Sequence, residues 1–574
     1  MSLVLVIGGY GGFGSRLCRR LSRAGHELLV AGRSADRAGR FCAGLAGARP
    51  LVMDRSTGIG AILARERPDL VIDAAGPFQE SRYEVPLACV ASAIPYLDLA
   101  DARDFVSGIG ALDGEARAKG VAIVAGASSA PALTGAVCRK LAEGMEQVFS
   151  VDIALSAANR ASGGDSVVAA ILSYVGRPVR LWRGRRWTHA PGWQEMRRED
   201  FAFADGSGLS GRLVALADLP DCELLPGLLP GRPAVTFRAG TELRFQMLAL
   251  WLASWPVSWG WTGSLDRAGA WLLPLYRLTG RIGGERSAMA VTLAGTVDGQ
   301  RVERRWTVVA EQGQGLEVPT LAAELLAGDI LEGRLAAGAR SAAGLLPFER
   351  FEPALAELPL RHETVERPLA PPLYARILGD RFATLPPAVR RLHDFCRDSG
   401  ARGEGRVEKG RGWAARTIAA AMRFPPEGHW PLHVAFEERE GAERWIRDFG
   451  GHRFSSELSQ SGPRAVERFG PLRFEFDLPS DRHGLEMHIR RWSALGIPLP
   501  LILAPRIEAR EWEEQGRFRF AVAVSLPLVG DVVRYSGWLS PVSPPCKGGA
   551  GGGSAEGGRH SESAKVSLRS PTHP

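Results

Sequence analysis

Five of the seven residues from Gly8 to Gly14 are glycine, and this segment constrains the fold more than any other part of the chain. It follows a short apolar run at 3–7 that is typical of a buried strand. It precedes an amphipathic run at 15–24 that is typical of a helix, and a second strand is predicted over 26–31. The order of strand, glycine turn, helix and strand is that of a dinucleotide-binding βαβ unit.

The glycines are spaced as G-x-G-x-x-G, formed by Gly9, Gly11 and Gly14, with Gly12 and Phe13 inside the motif. We expect Gly9 to permit the tight turn after the strand, and Gly11 to let backbone N–H groups approach a diphosphate. Gly14 would let the helix pack closely against the strand. Because the helix N-terminus offers free N–H groups and a positive dipole end to a phosphate, the segment predicts a bound dinucleotide.

The end of the second predicted strand indicates which dinucleotide is bound. A site for NAD usually has Asp or Glu there, which binds the 2′-hydroxyl of the adenosine ribose. This chain has Ala31-Gly32-Arg33-Ser34 instead. The Arg33 guanidinium and the Ser34 hydroxyl are suitable donors for a 2′-phosphate. We therefore predict NADP(H) rather than NAD(H), although a solvated Arg33, with the ribose held by backbone groups, fits the same residues.

Further strands and helices alternate up to about residue 125. Strands are predicted at 51–53, 69–73 and 121–125, and within IPYLDLADARDF at 94–105. This alternation predicts an α/β fold with a parallel, doubly wound sheet. After the fourth strand, Ala75 and Gly76 leave room for a flat ring, and Pro77 bends the chain at the carboxyl edge, where ligands of such sheets bind.

Residues 1 to about 355 resemble the saccharopine dehydrogenase-like oxidoreductases. The resemblance is carried by GGYGGFG, VIDAAGPF, YLDLADARDF, VAGASSAPAL and VTFRAGTE. It implies a Rossmann domain into which an α/β substrate domain is inserted after the sixth strand. It also implies cofactor contacts at Gly9, Gly11, Phe13, Gly14, Arg33, Ser34, Asp54, Ala75, Gly76 and Pro77.

The chain departs from the lysine-forming members of that family, whose proton transfer uses Lys and His. Residues 1–355 contain only Lys119, Lys140, His26 and His189 of these types, and neither Lys119 nor His26 is predicted at the carboxyl edge. Where such enzymes carry an Asp before the Pro of the motif VAGASSAPAL, this chain has Ser128-Ser129-Ala130. These departures disfavour an amino-acid substrate and favour a carbonyl or enoyl group on a hydrophobic molecule.

Tyr96 and Asp101 are the candidate proton donors for this chemistry, because the topology places their segment near the nicotinamide. A proton donor for hydride chemistry must lie within hydrogen-bond reach of the substrate. A different role, capping the following helix, fits Asp98 equally well.

The second part of the chain contains an Arg- and Trp-rich segment, VRLWRGRRWTHAPGW, which predicts a β-hairpin that turns at Gly184. A Trp-rich stretch follows at 243–278. Three interpretations fit it: a buried wall or homodimer surface, a wall for a large apolar substrate, and an element that rests on a membrane.

Net charge and cysteine usage limit the other partners. The formal net charge is +8, nearly all of it from Arg, which suits an anionic partner. Nucleic acid is not predicted, because no known nucleic-acid-binding module is present. The seven cysteines form no CxxC pair, and the chain begins without a signal peptide. We therefore expect reduced thiols in the cytoplasm, with peripheral contact at the inner membrane surface as the alternative setting.

The C-terminal third has a different pattern. A Pro-rich segment near 360–372 predicts a boundary, and 373–398 predicts an amphipathic helix that the LPP at 385–387 interrupts. The remainder alternates with period two between Gly and Pro turns. This pattern predicts an antiparallel β-rich domain. It resembles an uncharacterised bacterial domain family through ERWIRDFGGHRFSS, GIPLPLILAP and VRYSGWL, which implies no activity. A cup for a lipid or product and a purely structural or dimerising role both fit. Five histidines lie in the strand-like part, but their spacing predicts no metal site: His429, His433, His452, His483 and His488.

The sequence therefore predicts four parts: a Rossmann NADP-binding domain at 1–145, an α/β substrate or dimerisation domain at 146–358, a β-rich domain at 370–540, and a disordered tail at 541–574. The leading hypothesis is an NADP-dependent oxidoreductase that acts on a hydrophobic carbonyl or enoyl substrate. The alternative is a non-catalytic NADP-binding sensor or membrane-peripheral scaffold.

Overall fold

The first sheet is built from the alternating segments of the N-terminal region. Strand β1 turns Val4 and Val6 toward one hydrophobic core and Leu5 and Ile7 toward another, so the sheet is buried on both faces. This is why its strands read as continuous apolar runs. The strands are β1 (Leu3–Ile7), β2 (Glu27–Gly32), β3 (Ala48–Val52), β4 (Leu70–Asp73), β5 (Tyr96–Asp98) and β6 (Ala122–Ala125).

All pairs in this sheet are parallel, in the order β3-β2-β1-β4-β5-β6. A seventh strand, at 338–341, returns from later in the chain and pairs with β6. The predicted doubly wound fold is confirmed. The helices between the strands are α1 (Gly14–Arg23), α2 (Ala35–Cys42), α3 (Ile59–Glu66), α4 (Glu84–Ala91), α5 (Arg103–Gly108), α6 (Asp113–Ala118) and α7 (Thr134–Leu141).

The computed structural model of the chain describes residues 1–79, 81–161, 164–265 and 278–542. The predicted tail therefore lies outside the described residues from 543 onward, and so does the 266–277 part of the Trp-rich stretch.

The second sheet has seven strands in the order β10-β11-β12-β7-β13-β14-β16, and only the β7–β12 pair is parallel. Its last strand extends past residue 358, the boundary predicted from the sequence, because residues 360–368 pair with β14. The strands of this region are β7 (Gln147–Ala157), β8 (Pro178–Arg183), β9 (Arg186–Pro191), β10 (Arg197–Ala202), β11 (Gly208–Leu216), β12 (Ala234–Thr241), β13 (Ser287–Val297), β14 (Gln300–Ala310), β15 (Gly338–Ser341), which is the seventh strand of the first sheet, and β16 (Leu360–Pro368).

Among the described residues of this region, five helices accompany these strands: α8 (Asp165–Tyr174), α9 (Asp221–Leu228), α10 (Arg244–Ser258), α11 (Val318–Leu331) and α12 (Glu352–Ala356). Helix α11 packs on α1, where Arg20 forms ion pairs with Glu317 and Glu324 at 3.1 and 3.0 Å. The chain thus returns to the first domain after β14 and then goes back to the second sheet, which β16 completes.

Strands β8 and β9 form the hairpin that the Arg- and Trp-rich segment predicts. Its turn residues Gly184 and Arg185 have φ of 56° and 61°, the left-handed values of a tight hairpin turn. The N–H of Gly184 donates to both carboxylate oxygens of Asp398, at 3.0 and 2.9 Å. His433 donates from Nε2 to the Gly184 carbonyl oxygen at 2.9 Å. The hairpin tip therefore joins the second domain to the C-terminal domain.

Helix α10 carries the start of the Trp-rich stretch. Phe245, Leu248 and Leu252 are exposed on it, and so are Trp259 and Trp261 just beyond it. Whether a second copy, a substrate or a membrane covers these side chains stays a prediction. Within the described part of the chain, every helix is too short or too polar to cross a membrane.

The C-terminal domain is a closed antiparallel barrel of ten strands, which confirms the predicted β-rich domain. The ring closes because β22 pairs with β24 as well as with β21. The strands are β17 (Asp398–Lys409), β18 (Gly428–Arg439), β19 (Ala442–Phe449), β20 (His452–Ser461), β21 (Arg464–Phe469), β22 (Leu472–Asp477), β24 (Gly484–Ala494), β26 (Arg506–Glu514), β27 (Arg517–Leu526) and β28 (Gly530–Pro541), with two short strands, β23 (Ser480–Asp481) and β25 (Ile497–Leu499), paired to β24.

The helix predicted at 373–398 is interrupted at 385–387 as predicted, but it is also divided a second time and ends before 398. The segment forms three short helices, α13 (Leu373–Leu378), α14 (Arg381–Thr384) and α15 (Pro387–His393), and β17 begins at Asp398. Gly379, at φ 56°, ends the first helix, and Pro386 and Pro387 set the start of the third. A further helix, α16 (Trp413–Ala421), follows β17 and packs against β28.

The cysteines of the described residues agree with the expectation of free thiols. All six are buried and unpaired, and the seventh, Cys546, lies outside the described residues.

Candidate functional site

The glycine segment folds as a tight loop at the carboxyl end of β1. Gly8 has φ 75°, and the N–H groups of Gly8 and Gly9 both donate to the Ala31 carbonyl oxygen, at 2.8 and 3.3 Å. The N–H of Gly11 then donates back to the Gly8 carbonyl oxygen at 2.8 Å. These bonds hold the loop over the ends of β1 and β2 and lead the chain into α1.

The loop has no room for side chains at the three motif glycines. A Cβ atom on Gly14 would lie 2.2 Å from the Gly8 carbonyl oxygen. One on Gly9 would lie 3.0 Å from Val30 Cγ1, and one on Gly11 would lie 3.0 Å from the Gly8 oxygen. No described residue accepts a hydrogen bond from the N–H of Phe13 or Gly14. The backbone therefore forms a cradle with free donors, which fits a diphosphate.

The carboxyl end of β4 forms the neighbouring wall of this cradle. Ala75 touches the loop, since a Cβ atom on Gly8 would lie 3.0 Å from it, and Gly76 and Pro77 follow as exposed residues. Asp73, fully buried at the strand end, accepts from the N–H of Ala75 at 2.9 Å. Burial raises the pKa of Asp73 to about 6 against the lowering effect of Arg55.

Arg55 is a residue of this wall that the sequence analysis missed. Its guanidinium donates to the Ala75 carbonyl oxygen and, at 2.9 Å, to Ser81 Oγ. It also lies 4.8 Å from the centre of the Phe78 ring and 3.6 Å from Asp73. Arg55 thus fixes the chain after β4, and only the Arg residue type next to the predicted Asp54 could have indicated it.

The carboxyl end of β2 presents Arg33 and Ser34, the predicted contacts of a 2′-phosphate. Arg33 is exposed and forms no hydrogen bond or ion pair with a described residue. The Ser34 hydroxyl accepts from the N–H of Arg37 at 3.3 Å and so caps α2. The Ser34 N–H donates to the Tyr10 hydroxyl at 2.9 Å, and the Arg37 guanidinium lies 5.0 Å from the centre of the Tyr10 ring.

Tyr10 is a second residue that the sequence analysis missed. Its ring lies against the backbone of β2, where a Cβ atom on Gly32 would be 2.4 Å from the Tyr10 hydroxyl oxygen. Tyr10 therefore connects the glycine loop to the Arg33–Ser34 segment and sets the distance between them.

Asp54 lies after β3, at the same edge. Its carboxylate accepts from the Ser56 hydroxyl at 2.6 Å and from the Ser56 N–H at 2.9 Å. These hydrogen bonds, with smaller contributions from Arg33 and Arg55, lower the pKa of Asp54. Asp54 is thus a negative charge near Arg33.

Tyr96, predicted as a proton donor, is wrongly placed for that role. It opens β5, so it lies at the opposite end of the strand from the ligand edge. Its ring is fully buried in the core, where its hydroxyl has no hydrogen-bond partner among the described residues. A group in that position cannot contact a substrate.

Asp98 ends β5 as a fully buried carboxylate. It accepts from the N–H groups of Gly126 and Ala100, at 2.7 and 3.0 Å, and so joins the ends of β5 and β6. Burial raises the pKa of Asp98 to about 7, although these two hydrogen bonds act in the opposite direction.

Asp101, the other predicted donor, lies at the ligand edge and is partly exposed. Burial raises the pKa of its carboxyl group, and a hydrogen bond from the Gln79 side chain opposes that shift. On the side of the second domain, Tyr174 ends α8 and its ring stacks on Trp193 at 6.5 Å between ring centres. Burial, and then the charges of Asp101 and Asp218, raise the pKa of the Tyr174 phenol. Asp101 and Tyr174 thus lie close enough, from the two domains, for their charges to interact.

Arg103 holds this junction. Its buried guanidinium donates to Asp218 at 3.0 Å and to Glu223 at 2.6 Å, both in the second domain. Because Arg103 begins α5 two residues after Asp101, these bonds fix the position of Asp101 relative to Tyr174.

Comparisons with known proteins add one family match. The model of a family described as a domain of unknown function, DUF4166, matches residues 385–539, which lie within the C-terminal domain. A comparison with curated proteins finds no match.

Several solved structures are similar to the N-terminal two thirds of the chain. An amine dehydrogenase from Mycobacterium smegmatis is 12% identical over 60% of this chain and 96% of its own, with a TM-score of 0.35. GenD2 from gentamicin A biosynthesis, in complex with NAD, is 13% identical over 64% of this chain and 97% of its own, with a TM-score of 0.30. The dehydrogenase MviM from Clostridium difficile is 9% identical over 62% of this chain and 97% of its own, with a TM-score of 0.29. The fold described above rests on strand order and register rather than on these similarities.

Proposed function

We propose that the two N-terminal domains form an NADP(H)-dependent oxidoreductase that acts on a hydrophobic carbonyl or enoyl substrate. One observation carries the proposal: a glycine cradle with free N–H donors lies beside an exposed, unpaired Arg33 at the same sheet edge. The cradle suits a diphosphate, and Arg33 suits an additional phosphate on the adenosine side.

The preference for NADP(H) is supported by what surrounds Arg33. The Tyr10 hydroxyl and the cap formed by Ser34 hold the backbone beside it, so the guanidinium is the group left free for a ligand. No described carboxylate pairs with Arg33, and the nearest named charge, Asp54, is already bound to Ser56. NAD(H) stays the weaker alternative, because it would leave Arg33 without a partner.

The chemistry that a bound NADP(H) supplies is hydride transfer. Asp101 is the chain's own candidate for the accompanying proton, since burial raises the pKa of its carboxyl group and its side chain is partly exposed. Tyr174, in the second domain, is close enough to Asp101 for the two groups to interact electrostatically, and its phenol can donate a hydrogen bond. Arg103 holds the two domains in register.

A hydrophobic, uncharged substrate is supported by the negative charges near Tyr174. Asp101 and Asp218 both act on Tyr174, so an anionic substrate would meet two carboxylates there. The ring of Tyr174, which is partly exposed, offers an apolar surface there instead.

The proposal is tested by titration calorimetry with NADPH and NADH on the full chain. We expect NADPH to bind more tightly, and Arg33→Ala to weaken NADPH by about tenfold to a hundredfold while NADH changes little. Arg23→Ala, which removes an exposed cation from the far end of α1, is the matched control and should change neither affinity. No heat with either nucleotide would refute the proposal.

Turnover separates the enzyme from the alternative of a non-catalytic sensor or scaffold. NADPH oxidation is followed with a panel of apolar ketones and enoyl thioesters. Tight NADPH binding with no turnover across the panel would favour the sensor.

A further inference from the structure

The interior of the C-terminal barrel is wider than its side chains fill. Barrels of about eight strands are just wide enough for side chains to occupy the centre, and this barrel has ten. Helix α15 plugs one end with the buried residues Val389, Leu392 and His393. A cavity of about 80 Å³ remains inside.

The wall of this cavity is mostly apolar but not uniformly buried. Trp445 and Phe518 line its inner part and are almost completely buried, whereas Ile507, Ala509 and Val522 line its outer part and are partly exposed. The cavity therefore opens to solvent on the side of β26 and β27.

The hydrogen-bond ladder explains that opening. Strand β24 pairs with β26 only from Gly484 to Met487, and the last pair is Met487 with Ala509. Beyond Met487, β24 leaves β26 and pairs with β22. The two strands therefore diverge near Ala509 and leave a gap in the wall.

The connection between β24 and β26 spans this gap and is unusually apolar on its surface. Five large apolar side chains are exposed there, by 53% to 84%: Leu495, Ile497, Leu501, Ile502 and Leu503. A group of exposed apolar side chains of this size marks a contact with an apolar molecule more often than bare surface.

The deep end of the cavity holds polar groups without partners. The Tyr374 hydroxyl lines the cavity, is fully buried, and has no hydrogen-bond partner among the described residues. Its ring stacks on His393 at 3.7 Å, and His393 Nε2 lies 2.6 Å from the Glu511 carboxylate, which also lines the cavity. Buried polar groups are normally satisfied, so an unpaired hydroxyl at the end of a cavity suits a ligand that supplies the missing partner.

The charges around that end favour a donor over an anion. Glu467 and Glu511 line the cavity together with Arg447 and Arg510. Arg510 is exposed, and its guanidinium lies 5.7 Å from the centre of the Trp512 ring. Arg447 donates to Ser456 Oγ at 2.9 Å and lies 3.9 Å from Glu467. At Tyr374 itself, burial and then the charges of Glu511, Glu443 and Glu467 raise the pKa of the phenol, and Arg447 opposes them. The deep end therefore has more acidic side chains than cations around it.

We propose that the barrel binds a small lipophilic molecule that carries one hydroxyl or amino group. The molecule passes the gap at Ala509, its apolar part contacts the aliphatic and aromatic wall, and its donor reaches Tyr374 and Glu511. The site is separate from the nucleotide cradle and does not depend on the proposed oxidoreductase.

The test uses two matched single-ring probes on the full chain, followed by titration calorimetry. Aniline is neutral and carries an N–H donor at one end, and 4-aminobenzenesulfonate has the same ring and amino group with an added sulfonate. We expect saturable binding of the amine, and at least about tenfold weaker binding of the sulfonate.

Two substitutions locate the probe. Ala509→Trp places a large side chain in the gap and should weaken the amine at least tenfold. Arg506→Trp adds the same side chain to the same strand at a residue whose side chain is 81% exposed and does not line the cavity, so it should leave binding unchanged. Unfolding curves of both variants establish that the barrel is intact.

A third variant tests the donor. Glu467→Gln removes a charge without changing the size of the side chain, and it should weaken the amine about tenfold while the sulfonate improves. The proposal is overturned if the amine does not bind saturably, if Ala509→Trp and Arg506→Trp bind it equally, or if the sulfonate binds more tightly than the amine.

Discussion

The two candidate binding sites of this chain are built in opposite ways. The nucleotide cradle is made of backbone atoms from Gly8 to Gly14, held by hydrogen bonds that span a few residues or reach the adjacent strand. The barrel cavity is made of side chains. Its deep end combines Tyr374 from α13 with Glu511 from β26, two residues that are far apart in the sequence.

This difference determines which site a sequence can disclose. A cradle made of backbone atoms needs residues without a Cβ atom, and glycine is the only such residue. The site therefore shows in the sequence as a local pattern of glycines. A cavity made of side chains needs only apolar positions of suitable volume, and many sequences meet that requirement. The same contrast predicts how each site should respond to substitution.

The largest effect is expected from Gly14→Val. Because a Cβ atom there would lie 2.2 Å from the Gly8 carbonyl oxygen, the loop must open, and NADPH affinity should fall by about a thousandfold, or about 4 kcal/mol. Titration calorimetry measures the loss.

Two measurements keep that experiment interpretable. Gly39→Ala, in α2, meets no atom within 4 Å and should bind NADPH like the wild type. Binding of aniline to Gly14→Val should be unchanged, because the barrel does not use the loop. Equal NADPH affinity in Gly14→Val and wild type would contradict the cradle.

Both regions should show a dependence of stability on pH, because each buries a carboxylate that accepts hydrogen bonds but forms no ion pair with a described residue. Burial raises the pKa of Asp98 in the first domain, and of Asp398 at the barrel junction, from 3.8 to about 7. The folded state therefore holds the proton more tightly than the unfolded state. The resulting stability is fully present below about pH 4 and is lost as the pH rises through about 7.

Asp98→Asn should remove most of the contribution that residue 98 makes to the pH dependence of folding stability. The amide oxygen can still accept from the N–H groups of Gly126 and Ala100, while the buried charge is gone. The difference in unfolding free energy between pH 5 and pH 8 should shrink by on the order of 3 kcal/mol. Denaturant unfolding at the two pH values measures it, and Asp398→Asn provides the comparison in the other region. An unchanged difference in both variants would contradict buried titration.

The contrast also explains what the sequence could predict. The strand at 3–7 matches β1, and the helix predicted at 15–24 differs from α1 by one residue at each end, because hydrophobic period and glycine punctuation are local signals. The closure of the barrel through β22 and β24 could not be predicted, because it pairs strands that have no shared local pattern. Alternation of apolar and polar residues with period two predicts strands, but it does not indicate whether their sheet closes into a barrel.

Within the candidate site, the errors have the same origin. Tyr96 is predicted at the ligand edge because its segment is, but it begins β5 whereas Asp98 ends it, and its ring is fully buried. Arg55 and Tyr10 were missed because each acts through a contact with another strand end, at Ala75 and Ser34. Such contacts depend on the assembled sheet.

A catalytic effect should be confined to the first region. Asp101→Asn keeps the shape of the side chain but removes its proton, so turnover of NADPH with a responsive apolar ketone should fall about a hundredfold with NADPH affinity unchanged. Because burial raises the pKa of Asp101, the wild-type rate should decline as the pH rises through that raised value, and the variant should lose this decline. Steady-state rates across pH measure both. A variant with the wild-type rate and pH profile would exclude Asp101 as the donor.

The smallest effect separates the backbone of the cradle from the side chain that supports it. Tyr10→Phe removes only the hydroxyl that accepts from the Ser34 N–H at 2.9 Å, while the ring stays against Gly32. Loss of one such hydrogen bond costs about 1 kcal/mol, so NADPH affinity should fall about fivefold. NADH should lose less, because the Ser34 segment lies beside Arg33 and not beside the diphosphate loop. Calorimetry with both nucleotides decides this point, and an equal loss for NADPH and NADH would mean that Tyr10 supports the whole cradle rather than the Arg33 side of it.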